Sequence, residues 1–143
     1  MVKLFKELSL RAIAHATESI ERVKEALKEL VGDVKLNETH TTGYHGNEIV
    51  ILHVNGVKDC TRIEHLLLRD GVLTHVLAEP EKYIEHGVIH LKIDKQVLYA
   101  EKRLALANVD AISVHLKVGS VSMPDRVVVE HLRAFLSGGK HEQ

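Results

Sequence analysis

Three stretches of this chain alternate apolar and polar residues with a period of two, and that alternation narrows what it can fold into. In the first, Leu8, Leu10, Ala12, Ala14 and Ala16 fall on one side, with Ser9, Arg11, Ile13 and His15 on the other. From Gly87 to Ile93, Ile89, Leu91 and Ile93 oppose His90 and Lys92. Further on, Ile112, Val114, Leu116 and Val118 oppose Ser113, His115 and Lys117. Successive side chains of a strand point to opposite faces, so each stretch reads as a strand with one apolar face. An apolar sheet face has to be buried against another layer.

Helical segments supply that layer. Thr17 offers an N-cap, Glu18, Glu21 and Glu25 acidify the early turns, and Ile20, Val23, Ala26, Leu27, Leu30 and Val31 recur at helical spacing before Gly32. Asp59 can cap a second helix carrying Cys60, Ile63, Leu66 and Leu67. Gly71 interrupts it, and Val72, Leu73, Val76 and Leu77 suggest a further short turn. Pro80 opens another short helix through Tyr83 and Ile84, closed by Gly87. Asp94 caps a helix with Val97 and Leu98, and Pro124 opens a last one through Val127, Val128, His131, Leu132, Phe135 and Leu136.

Two more strands complete the pattern. Val34 to Thr42 is one, with Val34 and Leu36 pointing inward; Glu38 and His40 share their side, so its far end reads as exposed. Ile49-Val50-Ile51-Leu52 is apolar on both sides, as a central strand covered on two faces would be, and Asn55-Gly56 ends it. The expected fold class is α/β of the α+β type: a two-layer sandwich, with a mixed sheet of about five strands and helices mainly on one face. Residues 1–137 read as a single domain and 138–143 as a flexible tail. If the strands align, the other face carries Arg11, His15, Lys92, His115 and Lys117. Solvated sheet faces carry charge in any case, but a cationic one is also a platform for RNA.

Composition sets bounds on partners. The chain has 143 residues, enough for one domain with a sizeable core. Aromatic residues make up only 3%, so the core is aliphatic. A net charge of −1 lacks the basic excess of proteins that grip phosphate by charge alone. The charge is uneven: residues 37–86 are acidic, and the flanking thirds are each slightly positive. A single cysteine, Cys60, rules out an internal disulfide and fits a reducing cytoplasm. No signal-like stretch or membrane-length apolar run is present.

Eleven histidines invite a metal hypothesis, but they are dispersed without ligand spacing, and Cys60 sits on an apolar helix stripe, so no metal site is expected. There is no nucleophile elbow, Walker loop or dinucleotide glycine fingerprint, and no catalytic residue or cofactor is assigned. The most distinctive loop is Thr41-Thr42-Gly43-Tyr44-His45-Gly46-Asn47, between two strands. Its glycines can take left-handed angles in a hairpin. Tyr44 and His45 at its tip either stack on a base or pack back on the sheet.

Several stretches together resemble the archaeal RNA-binding family described as predicted exosome subunits. They are Leu8-Ser9-Leu10-Arg11-Ala12 with His15-Ala16-Thr17-Glu18, the loop Thr42 to Asn47 with Ile49, and Leu91-Lys92-Ile93-Asp94-Lys95-Gln96. Order and spacing match from about Leu8 to Leu136, and Lys102-Arg103-Leu104-Ala105-Leu106 also resembles the family. The resemblance implies a fold like that of the large-subunit ribosomal protein that holds 5S RNA, non-catalytic RNA binding, a homodimer and exosome components as partners. By position, the RNA contacts it implies are Arg11, His15, Tyr44, His45, Asn47, Lys92, Lys95 and Arg103. Two other readings stay open: a protein-interaction module without RNA contact, and an enzyme using His45 or His15 as acid or base.

Overall fold

The computed structural model describes residues 4–43, 46–118 and 123–141, with side chains described to residue 137. Strand β1 (Glu7–Ala14) buries Leu8, Leu10, Ala12 and Ala14 on one face, as the alternation predicts. Helix α1 (Ile20–Val31) follows. Its N-cap is Ser19 rather than Thr17, and the Ser19 hydroxyl accepts a hydrogen bond from the Arg22 N–H. Val23, Ala26, Leu27, Leu30 and Val31 form its buried stripe, and burying a leucine such as Leu27 contributes about 2 kcal/mol.

The next hairpin departs from expectation at both ends. Strand β2 begins at Asn37, not Val34, and Asn37–Thr42 is exposed along its whole length. Val34 and Leu36 pack on the core from the preceding loop. Strand β3 (Glu48–Val57) runs straight through Asn55-Gly56, where the sequence suggests a stop. It can do so because the β1–β3 register shifts between Leu10↔Val54 and Leu8↔Val57. The extra residue makes a bulge, and Gly56 takes a left-handed φ of +67° within it.

Helices α2 (Thr61–Arg69), α3 (Val72–Ala78) and α4 (Pro80–Tyr83) come next. Ile84 is not helical. It begins β4 (Ile84–Glu85), which pairs with β5 (Val88–Asp94) around His86 and Gly87 at φ +53° and +78°. Asp94 caps α5 (Lys95–Glu101), its carboxylate accepting from the Val97 N–H at 3.0 Å. Strand β6 (Ala111–Lys117) and helix α6 (Asp125–His141) close the chain. That helix continues through 138–141, where the sequence suggests a tail.

The described strands form one sheet in the order β2-β3-β1-β6-β5-β4, every neighbouring pair antiparallel. The expected mixed sheet of about five strands is therefore corrected to an antiparallel sheet of six. Two residues of β4 are too few to show a period, and each connection returns the chain so that spatial neighbours run in opposite directions. Nor is β3 central. It lies next to the edge strand, with Val50, Leu52 and Val54 buried while Ile49 and Ile51 are half-exposed on the opposite face. The buried face collects Ile89, Leu91, Ile93, Ile112, Val114 and Leu116 from β5 and β6 beside the β1 side chains, and α1 packs against β1 and β3 over it.

Candidate nucleic-acid interface

The strand registers turn the polar sides of β1, β5 and β6 into rows across the open face. Arg11 pairs with Ser113 on one side and His53 on the other, and Ser113 pairs in turn with Lys92. One row thus reads His53, Arg11, Ser113, Lys92. Neighbouring strands lie about 4.8 Å apart, so the two cations stand about 10 Å from each other across Ser113. A second row reads Ser9, His115, His90, and the His115 and His90 rings meet edge-on with centroids 4.5 Å apart. Arg11 and Lys92 are exposed and form no ion pair among the described residues.

The bordering rows differ in character. Glu7 and Lys117 form one, and Lys58 binds the Glu7 carboxylate at 2.6 Å with Lys117 at 3.8 Å. The Lys58 hydrogen bond, then the Lys117 charge, hold the Glu7 carboxyl below the usual carboxylate range, so this acid is neutralised where it stands. On the other side Ile13 and Ile51 pair, giving an apolar strip beside the cationic row. A groove of about 480 Å³ runs over Arg11, Ser113, His115, His53 and Ile51.

Three other implied contacts lie elsewhere. His15 follows the last residue of β1, and its Nε2 lies 3.0 Å from Asp110 Oδ1. Lys95 is 3% exposed. Its ammonium donates to the Ile13 carbonyl at 2.7 Å, Glu18 Oε1 at 3.0 Å and Asp110 Oδ1 at 2.9 Å. Three acceptors use all the donors an ammonium has, so Lys95 acts inside the protein and not at its surface. Arg103 pairs with Glu101 at 2.8 Å, next to the end of α2, where Asp70 accepts from the Leu104 N–H. That is the helix side of the molecule.

Asn47 is exposed in the β2–β3 hairpin, its carbonyl accepting from the Gly43 N–H at 2.6 Å. A side chain on Gly43 would come within 2.7 Å of Ile49 Cδ1, which explains a glycine there. The hairpin sits about 20 Å along β3 from the Arg11 row. Tyr44 and His45 lie outside the described residues.

The structure also gathers residues that looked dispersed. Donor atoms of His15, Glu18 and Asp110 lie within 4.8 Å of one another, a spacing some metal sites use. The Lys95 ammonium already sits against both carboxylates and supplies the positive charge a cation would bring. Burial works to raise the Asp110 carboxyl, but hydrogen bonds from Lys95 and His15 prevail and hold it below its ordinary value. Of the face residues, Ser113, His53 and His90 went unmarked in the sequence as contacts. Only the strand registers, which alternation alone does not give, align them with Arg11 and Lys92.

An open antiparallel sheet backed by helices, with cations free of ion pairs among the described residues in register on its open side, defines the chain as an α+β protein. The chain belongs to a family described as RNA binding, whose model matches residues 7–118. An RNA-binding protein of Pyrococcus abyssi is 31% identical to it, over 92% of this chain and 93% of the relative. Among solved structures, a DUF54 protein from Methanothermobacter thermautotrophicus superposes with a TM-score of 0.76 at 24% identity, covering 94% of this chain and 99% of that one. A Sulfolobus solfataricus protein gives 0.70 at 22%, covering 93% and 98%. These two show that the fold is shared. No helix among the described residues is long and apolar enough to cross a membrane.

Proposed function

We propose that this protein binds RNA on the open face of its sheet, without catalysing a reaction on it. The observation that carries this reading is the row in which Arg11 and Lys92 flank Ser113, exposed and without ion pairs among the described residues. Cations held on a rigid sheet and not already neutralised can take phosphates and release counterions. Membership of a family described as RNA binding supports the same partner. His15, which meets Asp110, borders this face; Lys95 and Arg103 contribute through the fold. Asn47 belongs to a hairpin that reaches the RNA only if it extends past the platform, and Tyr44 and His45 remain contacts by family resemblance alone.

The wider role follows the family resemblance. The protein acts as an accessory to RNA processing or degradation, in company with exosome components, and as a homodimer. The apolar strip of Ile13 and Ile51 beside the cations gives a protein partner some purchase on the same face.

Titration with RNA at several salt concentrations tests the reading. Replacing Arg11 with alanine should weaken binding and lower the slope of log affinity against log salt by about one. Binding that is absent at low salt, or a slope unchanged in Arg11→Ala and Lys92→Ala, contradicts it.

A further inference from the structure

The β5 side of the same face holds a groove of about 390 Å³ that the cationic row does not explain. Its floor is the His90–His115 pair, with rings 4.5 Å apart and inclined at 70°. On one wall stands Lys82, whose ammonium lies 5.5 Å from the centre of the Tyr83 ring. Leu106 and Asn108 also line it, held against β5 because the Ala107 N–H donates to the Lys92 carbonyl at 3.0 Å and Leu106 bridges Ile93. The lining contains two lysines, Lys82 and Lys92, and no carboxylate.

We propose that this groove receives one unpaired RNA base, with the flanking phosphates on Lys82 and Lys92. The proposal rests on the RNA reading above and narrows it to single-stranded RNA. Three features fit a base better than a phosphate alone. The imidazole rings and the Leu106 side chain give flat and apolar surface against which a base can lie. Asn108 is exposed, and its side chain makes no hydrogen bond to the described residues. Its amide therefore has both donor and acceptor free for a base edge. Partial burial, helped by the neighbouring His90, holds the His115 ring below its ordinary value of 6.5, so at neutral pH that ring is largely uncharged.

A duplex cannot use such a groove. Its bases are stacked inward, and its deep major groove excludes side chains, so a concave site with an amide in its wall needs a base that is splayed out.

The test compares a single-stranded RNA of about eight nucleotides with a duplex of the same sequence, using wild type, Asn108→Ala, Lys82→Gln and Arg11→Ala. Both groove residues are exposed, so the variants should fold. Single-strand affinity should fall about five- to tenfold in Asn108→Ala, with duplex affinity unchanged. A 4-thiouridine in the strand should crosslink to the segment containing His90 or to that containing His115. If Arg11→Ala weakens binding while both groove variants bind as wild type and no crosslink maps to the groove, the base site is wrong and the face reading stands. Equal loss of single-strand and duplex affinity in Asn108→Ala also overturns it. No RNA binding at low salt removes both readings.

Discussion

Lys95 is the buried charged side chain among the described residues. It opens α5 directly after the Asp94 cap, where a lysine would ordinarily face water. Here it points inward and joins three separate pieces of chain: the end of β1 through Ile13, the loop before α1 through Glu18, and the turn before β6 through Asp110. Replacing it with methionine keeps the length but takes one donor from each of two carboxylates and a carbonyl, leaving the carboxylates only their His15 contacts among the described residues, which should cost about 2–3 kcal/mol of stability in denaturant unfolding. The same variant has a pH signature. The Asp110 carboxyl is lowered in the folded state from its ordinary 3.8, so its stabilising contribution is present above that value and lost as pH falls through the lowered one. Wild-type stability should fall with acid in that interval, and the Lys95→Met curve should be flatter there. A variant as stable as wild type, or one with an equally steep acid limb, would show the Lys95 contacts to be incidental.

At the level of elements, the bulge in β3 is what lets that strand keep pairing with β1 past Asn55. Gly56 at φ +67° absorbs one extra residue, and its N–H donates to Ser9 Oγ on the open face at 3.3 Å. A side chain at Gly56 would meet open space, so the cost of substitution there is backbone strain alone. Gly56→Val should lose about 1–2 kcal/mol and Gly56→Asn clearly less, since asparagine tolerates the left-handed region. Equal midpoints for the two in denaturant unfolding would refute the strain account.

The same elements mark how far the sequence could be read. Period-two alternation located β1, β5 and β6 because each has one buried face, and the heptad-like stripe of α1 did the same for the helix. Alternation reads less well where burial is lacking: β2, read from Val34, begins at Asn37 and is exposed throughout, and β4 has two residues. Asn55-Gly56 reads as a stop in sequence and becomes a bulge only because β1 is there to pair across it. At the site, Arg11 and Lys92 were legible as surface cations on one parity. Their alignment through Ser113 was not, since register between strands separated by long connections is a tertiary property. Lys95 was misplaced for the same reason: its partners lie 15, 77 and 82 residues away.

For the whole molecule, the net charge of −1 gives little long-range attraction for a polyanion. RNA binding on the open face, as proposed, has to come from local arrangement: Arg11 and Lys92 lack ion pairs among the described residues, while Glu7 and Asp110 near its borders are held by lysines. Amide NMR of the isotope-labelled protein during RNA titration tests that claim most directly. Shifts should concentrate at Ser9, Arg11, His90, Lys92, Ser113 and His115, leaving α1 and α2 unmoved. Shifts confined to the helix layer, with the open face silent, would contradict it.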